Sequence, residues 1–393
     1  MVTDAELLQG FAQCRALQAL AMVHAENGEG VALGQHHVFS RANITLPHGH
    51  ALSRPKILEV EATARAVRLA SYAGVPLYVV HVMAGEAAEE VARAQQRGER
   101  VVGEAVAAGI ALDESRMWDT NWTIAAAHVM SPPIRAAEDR RALKRALQGE
   151  GGGLSVVATD HASFNSAQKR SGRHDFRLIP NGVSAIEERM HVAWTELVSR
   201  AEKPITRERF VGLVSANAAK IFGAYPRKGR VAEGSDADVV VFDPEARHVL
   251  GVKSGHSCQD VSVWEGYEAV GRVDVTISRG RVAWEGGRLR VPPLREGGGG
   301  GGGKREEEDG GDDYDPALAA GTGRFVPLPT GGPMFEGMER RGLLSGGGGG
   351  GGGGEEEEAA AARFPAWRAE FPYGQGAGAQ SCGTGTAGEV CAA

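Results

Sequence analysis

Several short stretches of this sequence place a group capable of acid–base or metal chemistry directly after an apolar, β-prone run. Leu20–Val23 is followed by His24, Pro76–Val80 by His81, and Val156–Ala158 by Thr159, Asp160 and His161. A further run, Arg100–Val102, is followed by Gly103 and Glu104. Imidazole and carboxylate at the C-terminal tips of buried strands suit two kinds of work. One is proton transfer near neutral pH; the other is ligation of a divalent cation such as zinc. One such residue says little, because Asp caps turns and a histidine at a strand tip is more often a satisfied polar residue. Recurrence at successive strand ends is what singles out His24, His81 and Asp160 as one site. A rival group, His36, His37, His48 and His50, lies in the polar stretch Glu26–His50 without regular ligand spacing. That stretch is expected to be a solvated loop over the strand ends.

The elements that must position these groups alternate. Thr3–Leu20 reads as a helix, with Thr3 or Asp4 as cap and Leu7, Leu8, Phe11, Cys14 and Leu17 at helical spacing. Glu59–Tyr72 and Ala84–Gln96 read as further helices, and helical segments flank Ser131-Pro132-Pro133. Strand, loop and helix thus repeat at least four times between Ala19 and Gly182, which is the sequence form of a (β/α) fold. In a barrel of that class the strand ends converge on one face. From Arg227 the texture changes. Gly234–Asp238 reads as a tight turn, Val239–Phe242 as a strand stopped by Asp243-Pro244, and Val273–Ser278 with Arg281–Trp284 as a hairpin around Arg279-Gly280. Beyond Arg290 come the runs Gly297–Gly303, Glu306–Glu308, Gly346–Gly354, Glu355–Glu358 and Ala359–Ala362. Such runs bury too little apolar surface to offset ordering entropy, so disorder is expected there except near Gly323–Pro327 and Phe364–Tyr373.

The 393 residues carry a net charge of −7 and are 42% hydrophobic. That is ample for a core, and the mild acidity argues against nucleic acid or an anionic membrane as partner. Cys14, Cys258, Cys382 and Cys391 lie far apart with no C-x-x-C, which fits a reducing compartment and no thiolate zinc site. The sequence has no apolar run of the roughly 18 residues that a membrane span needs, and no basic region precedes an apolar core at its start. A cytoplasmic location is expected.

The motifs themselves resemble a known family. V-H-A-E-N-G (Val23–Gly28), G-H-x-L-S-R-P (Gly49–Pro55), L-Y-V-V-H-V-M (Leu77–Met83), S-P-P-I-R (Ser131–Arg135) and T-D-H-A-S-F-N-x-x-Q-K (Thr159–Lys169) are the first of these. D-F-x-x-I-P-N-G-V (Asp175–Val183), E-E-R-M (Glu187–Met190), N-A-A-K-I-F (Asn217–Phe222), Y-P-R-K-G-R (Tyr225–Arg230), G-S-D-A-D-V-V-V-F-D-P (Gly234–Pro244) and T-I-S-R-G-R-V (Thr276–Val282) continue the match. Together they resemble the dihydropyrimidinase and hydantoinase family, cyclic-amide hydrolases of the amidohydrolase superfamily.

The resemblance implies an α/β fold: the C-terminal half of a (β/α)8 TIM-type barrel over residues 1–229, a small β-sandwich segment over 230–292, and a low-complexity, largely disordered tail over 293–393. It implies two Zn2+ ions per site, with His24 and His81 matching the two single metal histidines and Asp160 the metal-binding aspartate that is also general base. Ser131 and Asn181 match the positions that hold the ring amide. The implied reaction is hydroxide attack on a dihydropyrimidine ring amide, giving an N-carbamoyl-β-amino acid. Dihydrouracil, dihydrothymine or hydantoin would be the substrate, and relatives are usually homotetramers. Two departures stand out. The only H-x-H, His48-Gly49-His50, follows His24 rather than preceding it, and no lysine precedes Lys56 to serve as the carboxylated bridging ligand. Met1–Leu7 resembles an internal segment of relatives, so the sequence is expected to match the later part of a longer ancestor and to be inactive as it stands. The alternative is a non-catalytic scaffold of the dihydropyrimidinase-related kind. The intact T-D-H and V-V-H contexts and the absence of a Ser/Thr/Pro-rich tail favour the hydrolase.

Overall fold

The computed structural model describes residues 1–149, 152–290, 326–328 and 331–335. The first sheet is parallel and has four strands in sequence order, β1 (Ala21–Val23), β2 (Leu77–Val79), β3 (Val101–Val106) and β4 (Leu154–Ala158). Pairing is in step across β1 and β2, with Val23 opposite Val79, and Val79 in turn opposite Gly103 of β3. This shared register brings the residues after each strand to one edge. Alternation sorts the side chains between the two faces. Leu77, Val79, Val101, Leu154 and Val157 join the main core with the helices Lys56–Ala73, Gly85–Gln96 and Ala137–Gln148. Tyr78, Val102 and Val156 face the other way into a separate, smaller cluster.

Local chemistry sets the helix ends. Thr3 and Glu6 form a capping box at the start of Asp4–Ala16, and Asn27 caps Gly28–His36 through the Gly30 amide. Gly74, at φ +65, closes Lys56–Ala73 in the left-handed conformation that costs glycine least. Gly103 is required for a different reason. A Cβ there would sit 2.7 Å from the Gly153 carbonyl oxygen, where β3 and β4 shift register.

The second sheet is antiparallel, in the order β5 (Val239–Leu250), β6 (Tyr267–Ser278), β7 (Arg281–Glu285) and β8 (Arg288–Leu289). It docks on the helical layer through Thr195, whose Oγ1 donates to the Val270 carbonyl (3.1 Å) and accepts from the Val270 amide (2.9 Å). The indole of Trp194 donates to the Pro244 carbonyl at 3.1 Å.

The expected helices and strands are present, with three differences. The strand from Val239 does not stop at Asp243-Pro244. The register shifts between Asp243 and Arg247, and the Asp243 carboxylate accepts the Glu245 and Ala246 amides, so the proline sits in a bulge and the strand resumes. The strand expected over Arg100–Val102 runs on to Val106, which puts Glu104 inside it. The stretch Glu26–His50 is mostly helical rather than a solvated loop: Gly28–His36, a π-turn over His37–Arg41 and His48–Ser53. His50 is buried there and hydrogen-bonds the Met130 carbonyl at 2.8 Å, while His48 stacks on Trp118. The expected tail disorder and the Phe364–Tyr373 island lie outside the described residues, as does most of Gly323–Pro327. Among the described residues no helix is long and apolar enough to cross a membrane.

Candidate active site

His24 follows β1 directly, and His81 and Asp160 each stand two residues beyond their strands. His81 and Asp160 both have positive φ, +37 and +46. Non-glycine residues adopt that conformation only where the surroundings hold them. Glu104 supplies the hold at His81: its carboxylate accepts the His81 amide (3.1 Å) and the Tyr78 hydroxyl (2.5 Å), and its carbonyl accepts the Val82 amide (2.7 Å). Burial raises the Glu104 carboxyl above the usual carboxylate range, the charge of Asp160 adds to this, and the two hydrogen bonds oppose it.

The structure brings His24 and His81 together. His24 Nδ1 lies 2.9 Å from His81 Nε2, with the ring planes at 76°. The other His24 nitrogen, Nε2, meets Glu26 Oε2 at 3.0 Å. Glu26 is buried and also accepts Arg54 Nη1 at 2.6 Å. Burial works against ionisation of Glu26, but the His24 hydrogen bond and the Arg54 charge outweigh it and hold the carboxyl below its ordinary value. A carboxylate behind an imidazole fixes ring orientation and tautomer, as it does behind metal-binding histidines. The buried His81 Nδ1 has no partner, and burial followed by the His24 charge pushes the His81 imidazole below its usual range, against Asp160.

Two buried arginines carry this arrangement into the fold. Arg135 Nη1 donates to the Arg54 carbonyl (2.6 Å), while Arg135 Nε and Nη2 reach Glu59 Oε2 at 3.3 and 2.8 Å. Glu59 Oε1 accepts the Met83 and Ala84 amides at 2.7 and 2.8 Å, directly beyond His81. The buried chain Glu59–Arg135–Arg54–Glu26, which ends on the exposed His24, therefore locks the ends of β1 and β2 to each other.

The segments carrying Ser131 and Asn181 also meet. The Gly182 amide donates to the Val129 carbonyl at 2.9 Å. The ammonium of Lys169, itself buried, donates to the carbonyls of Val129 (3.0 Å), Pro180 (2.8 Å) and Gly182 (2.9 Å). Ser131 Oγ is buried without a partner, beside a cis Ser131-Pro132 bond, while Asn181 is exposed. Asp160 is tied to the same region through its neighbour. His161 bridges to Val183, and its Nδ1 accepts the Ala185 and Ile186 amides at 3.2 and 3.3 Å.

The donor set fits a metal only in part. His24 and His81 bring two ring nitrogens within 2.9 Å of each other, and Glu26 supports His24 from behind. Among the described residues, however, no three His, Cys, Asp or Glu side chains converge as a metal-holding group, and a catalytic zinc takes three protein ligands. Asp160 is exposed and acts on His81 through its charge. Glu26, Arg54, Glu59, Arg135 and Lys169 had no assigned role in the sequence reading. Each except Glu59 lies inside a family-like motif, so their positions were visible there; the pairings that the fold gives them were not.

Residues 1–283 match the amidohydrolase family. The chain is 49% identical over 293 residues to dihydropyrimidinase of Arabidopsis thaliana, covering 75% of this chain and 54% of that protein. It is 43% identical over 287 residues to dihydropyrimidinase of Rattus norvegicus, covering 73% and 54%. The solved structure of dihydropyrimidinase from Brevibacillus agri superposes with a TM-score of 0.71 at 36% identity, covering 74% of this chain and 62% of that one. The chain thus spans about half the length of the curated relatives it matches.

Proposed function

Since the chain belongs to the amidohydrolase family, we propose that it forms the Asp160-bearing part of a cyclic-amide hydrolase that opens dihydropyrimidine rings to N-carbamoyl-β-amino acids. The observation that carries this reading is the convergence of His24 and His81 at 2.9 Å on the strand edge that also presents Asp160. In this reading Asp160 takes a proton from the attacking water as its oxygen adds to the ring carbonyl, and returns it to the ring nitrogen as the C–N bond breaks. Its exposure leaves it open to both partners. Ser131 Oγ, with no protein partner, hydrogen-bonds the ring amide. The backbone at Asn181, whose flanking carbonyls Lys169 holds, orients the ring. A bound divalent metal would polarise the carbonyl and lower the pKa of water to about 7. With zinc as the metal and two ions per site, His24 and His81 are proposed as ligands of one ion and Asp160 as a ligand of the other. The 230–292 sheet as a separate unit, cytoplasmic location and homotetrameric assembly belong to the same proposal.

The 393-residue chain alone is expected to bind no stoichiometric zinc pair and to leave dihydrouracil unopened, because two converging imidazoles fall short of a ligand set. Joining it to the portion of the Arabidopsis relative outside the match should restore both. In that chimera Asp160→Asn should lower kcat far more than it raises KM, since the base is lost while the ring contacts remain. Near-unchanged kcat in the variant would remove Asp160 from the mechanism, and tight zinc with turnover in the short chain would overturn the ligand-count argument.

A further inference from the structure

Parallel sheets are ordinarily covered on both faces. Helices cover one face of β1–β4. The other is covered in part by a short segment from far along the chain, Gly331–Phe335. Met334 is 1% exposed and joins Tyr78, Val102, Val156 and Ile221 in one apolar cluster, with Phe335 packed at its side. Polar contacts fix the segment at the strands' N-terminal ends. Arg100, just before β3, donates through Nη1 to the Met334 carbonyl at 2.8 Å, and the Gly331 amide donates to the Gln18 carbonyl at 3.1 Å. Gly331 has φ +73, and a Cβ there would lie 2.7 Å from Gln18 Oε1, so a side chain is disfavoured twice over.

We propose that Gly331–Phe335 is a tethered, displaceable plug by which the chain itself covers the apolar face of its parallel sheet. Two observations favour the chain's own segment as occupant. Its backbone is read at both ends, by Arg100 and by Gln18. Its one fully buried side chain meets strands β2, β3 and β4 together. The cover is incomplete where the plug does not reach: Met22, level with Tyr78 in the register, is 51% exposed. Tethering makes the contact intramolecular, so it needs no high intrinsic affinity. The plug sits at the strand ends opposite His24, His81 and Asp160 and leaves that edge open.

The test uses the full chain with its four cysteines replaced by serine and Val102→Cys as reporter, since Val102 is fully buried under the plug. Maleimide labelling should be slow, and adding Met334→Asp should speed it at least about tenfold without loss of the sheet's circular dichroism. A synthetic peptide of residues 326–340 should slow it again. Equal labelling rates with and without Met334→Asp would overturn the plug. Protection that appears only as protein concentration rises would overturn the intramolecular form and point to a second copy as occupant. Gly331→Val provides an independent check and should behave as Met334→Asp does.

Discussion

Replacing Arg135 by methionine tests whether the buried chain behind His24 and His81 is held by charge. The Glu59–Arg135 side chains are only 2% and 8% exposed. Burial raises the Glu59 carboxyl despite the Arg135 charge and two backbone amides that lower it, so desolvation is the largest single effect. A pair of this kind contributes little compared with an apolar pair of the same volume, yet removing one member leaves a buried charge without its partner. That typically costs about 3–5 kcal/mol, and Arg135→Met also releases the Arg54 carbonyl. At about 2–4 °C per kcal/mol for a domain of this size, the melting temperature should fall by roughly 6–20 °C. Adding Glu59→Gln removes the stranded charge while keeping an acceptor for the Met83 and Ala84 amides, so the double variant should recover at least about 1–2 kcal/mol. The exposed pair Arg65–Asp4 is the control, and Asp4→Ala should cost less than about 1 kcal/mol. Urea midpoints at pH 7 measure all four. A loss below about 1 kcal/mol for Arg135→Met, or a double variant as unstable as the summed singles, would show that the ion pair does not hold this region.

Two pH effects follow from burial. Lys169 is pushed down to about 7 by burial. Its folded value lies below its unfolded one, so the cost of burying the charge is present below about pH 7 and is relieved as pH rises toward the ordinary lysine range. Urea midpoints from pH 6.5 to 9 should rise in the wild type relative to Lys169→Met, and parallel curves would contradict this. Burial lowers His50 to about 3 and His191 to about 4, the latter helped by the His248 charge. The unfolded chain therefore takes up protons that the folded chain refuses as pH falls below about 6.5. Stability should drop between pH 6.5 and 4, and His191→Gln should flatten that fall; an unchanged slope would mean that His191 is not held neutral.

Much of this protein is legible one residue at a time. The apolar runs before His24, His81 and Asp160 predict strands, and the shared parallel register does bring their ends to one edge. The Thr3 cap and the Arg279-Gly280 hairpin follow from local preference alone. What sequence reasoning missed depends on contacts between distant residues. Asp243-Pro244 reads as a stop because proline lacks a donor, but a bulge stabilised by the Asp243 carboxylate and the Trp194 indole lets β5 continue. His50 reads as a solvated loop residue until the Met130 carbonyl, eighty positions on, buries it. Glu26, Glu59, Arg54, Arg135 and Lys169 are ordinary charged residues in a list. Only the packing that removes water from them turns each into half of a hydrogen-bonded pair. Met334 lies more than 170 positions from the strands it covers, and no periodicity in the chain points to that contact. Spacing sets which element a residue belongs to and which way it faces. Burial and long-range pairing, which exist only once the chain has folded, decide which of those residues meet and which charges they keep.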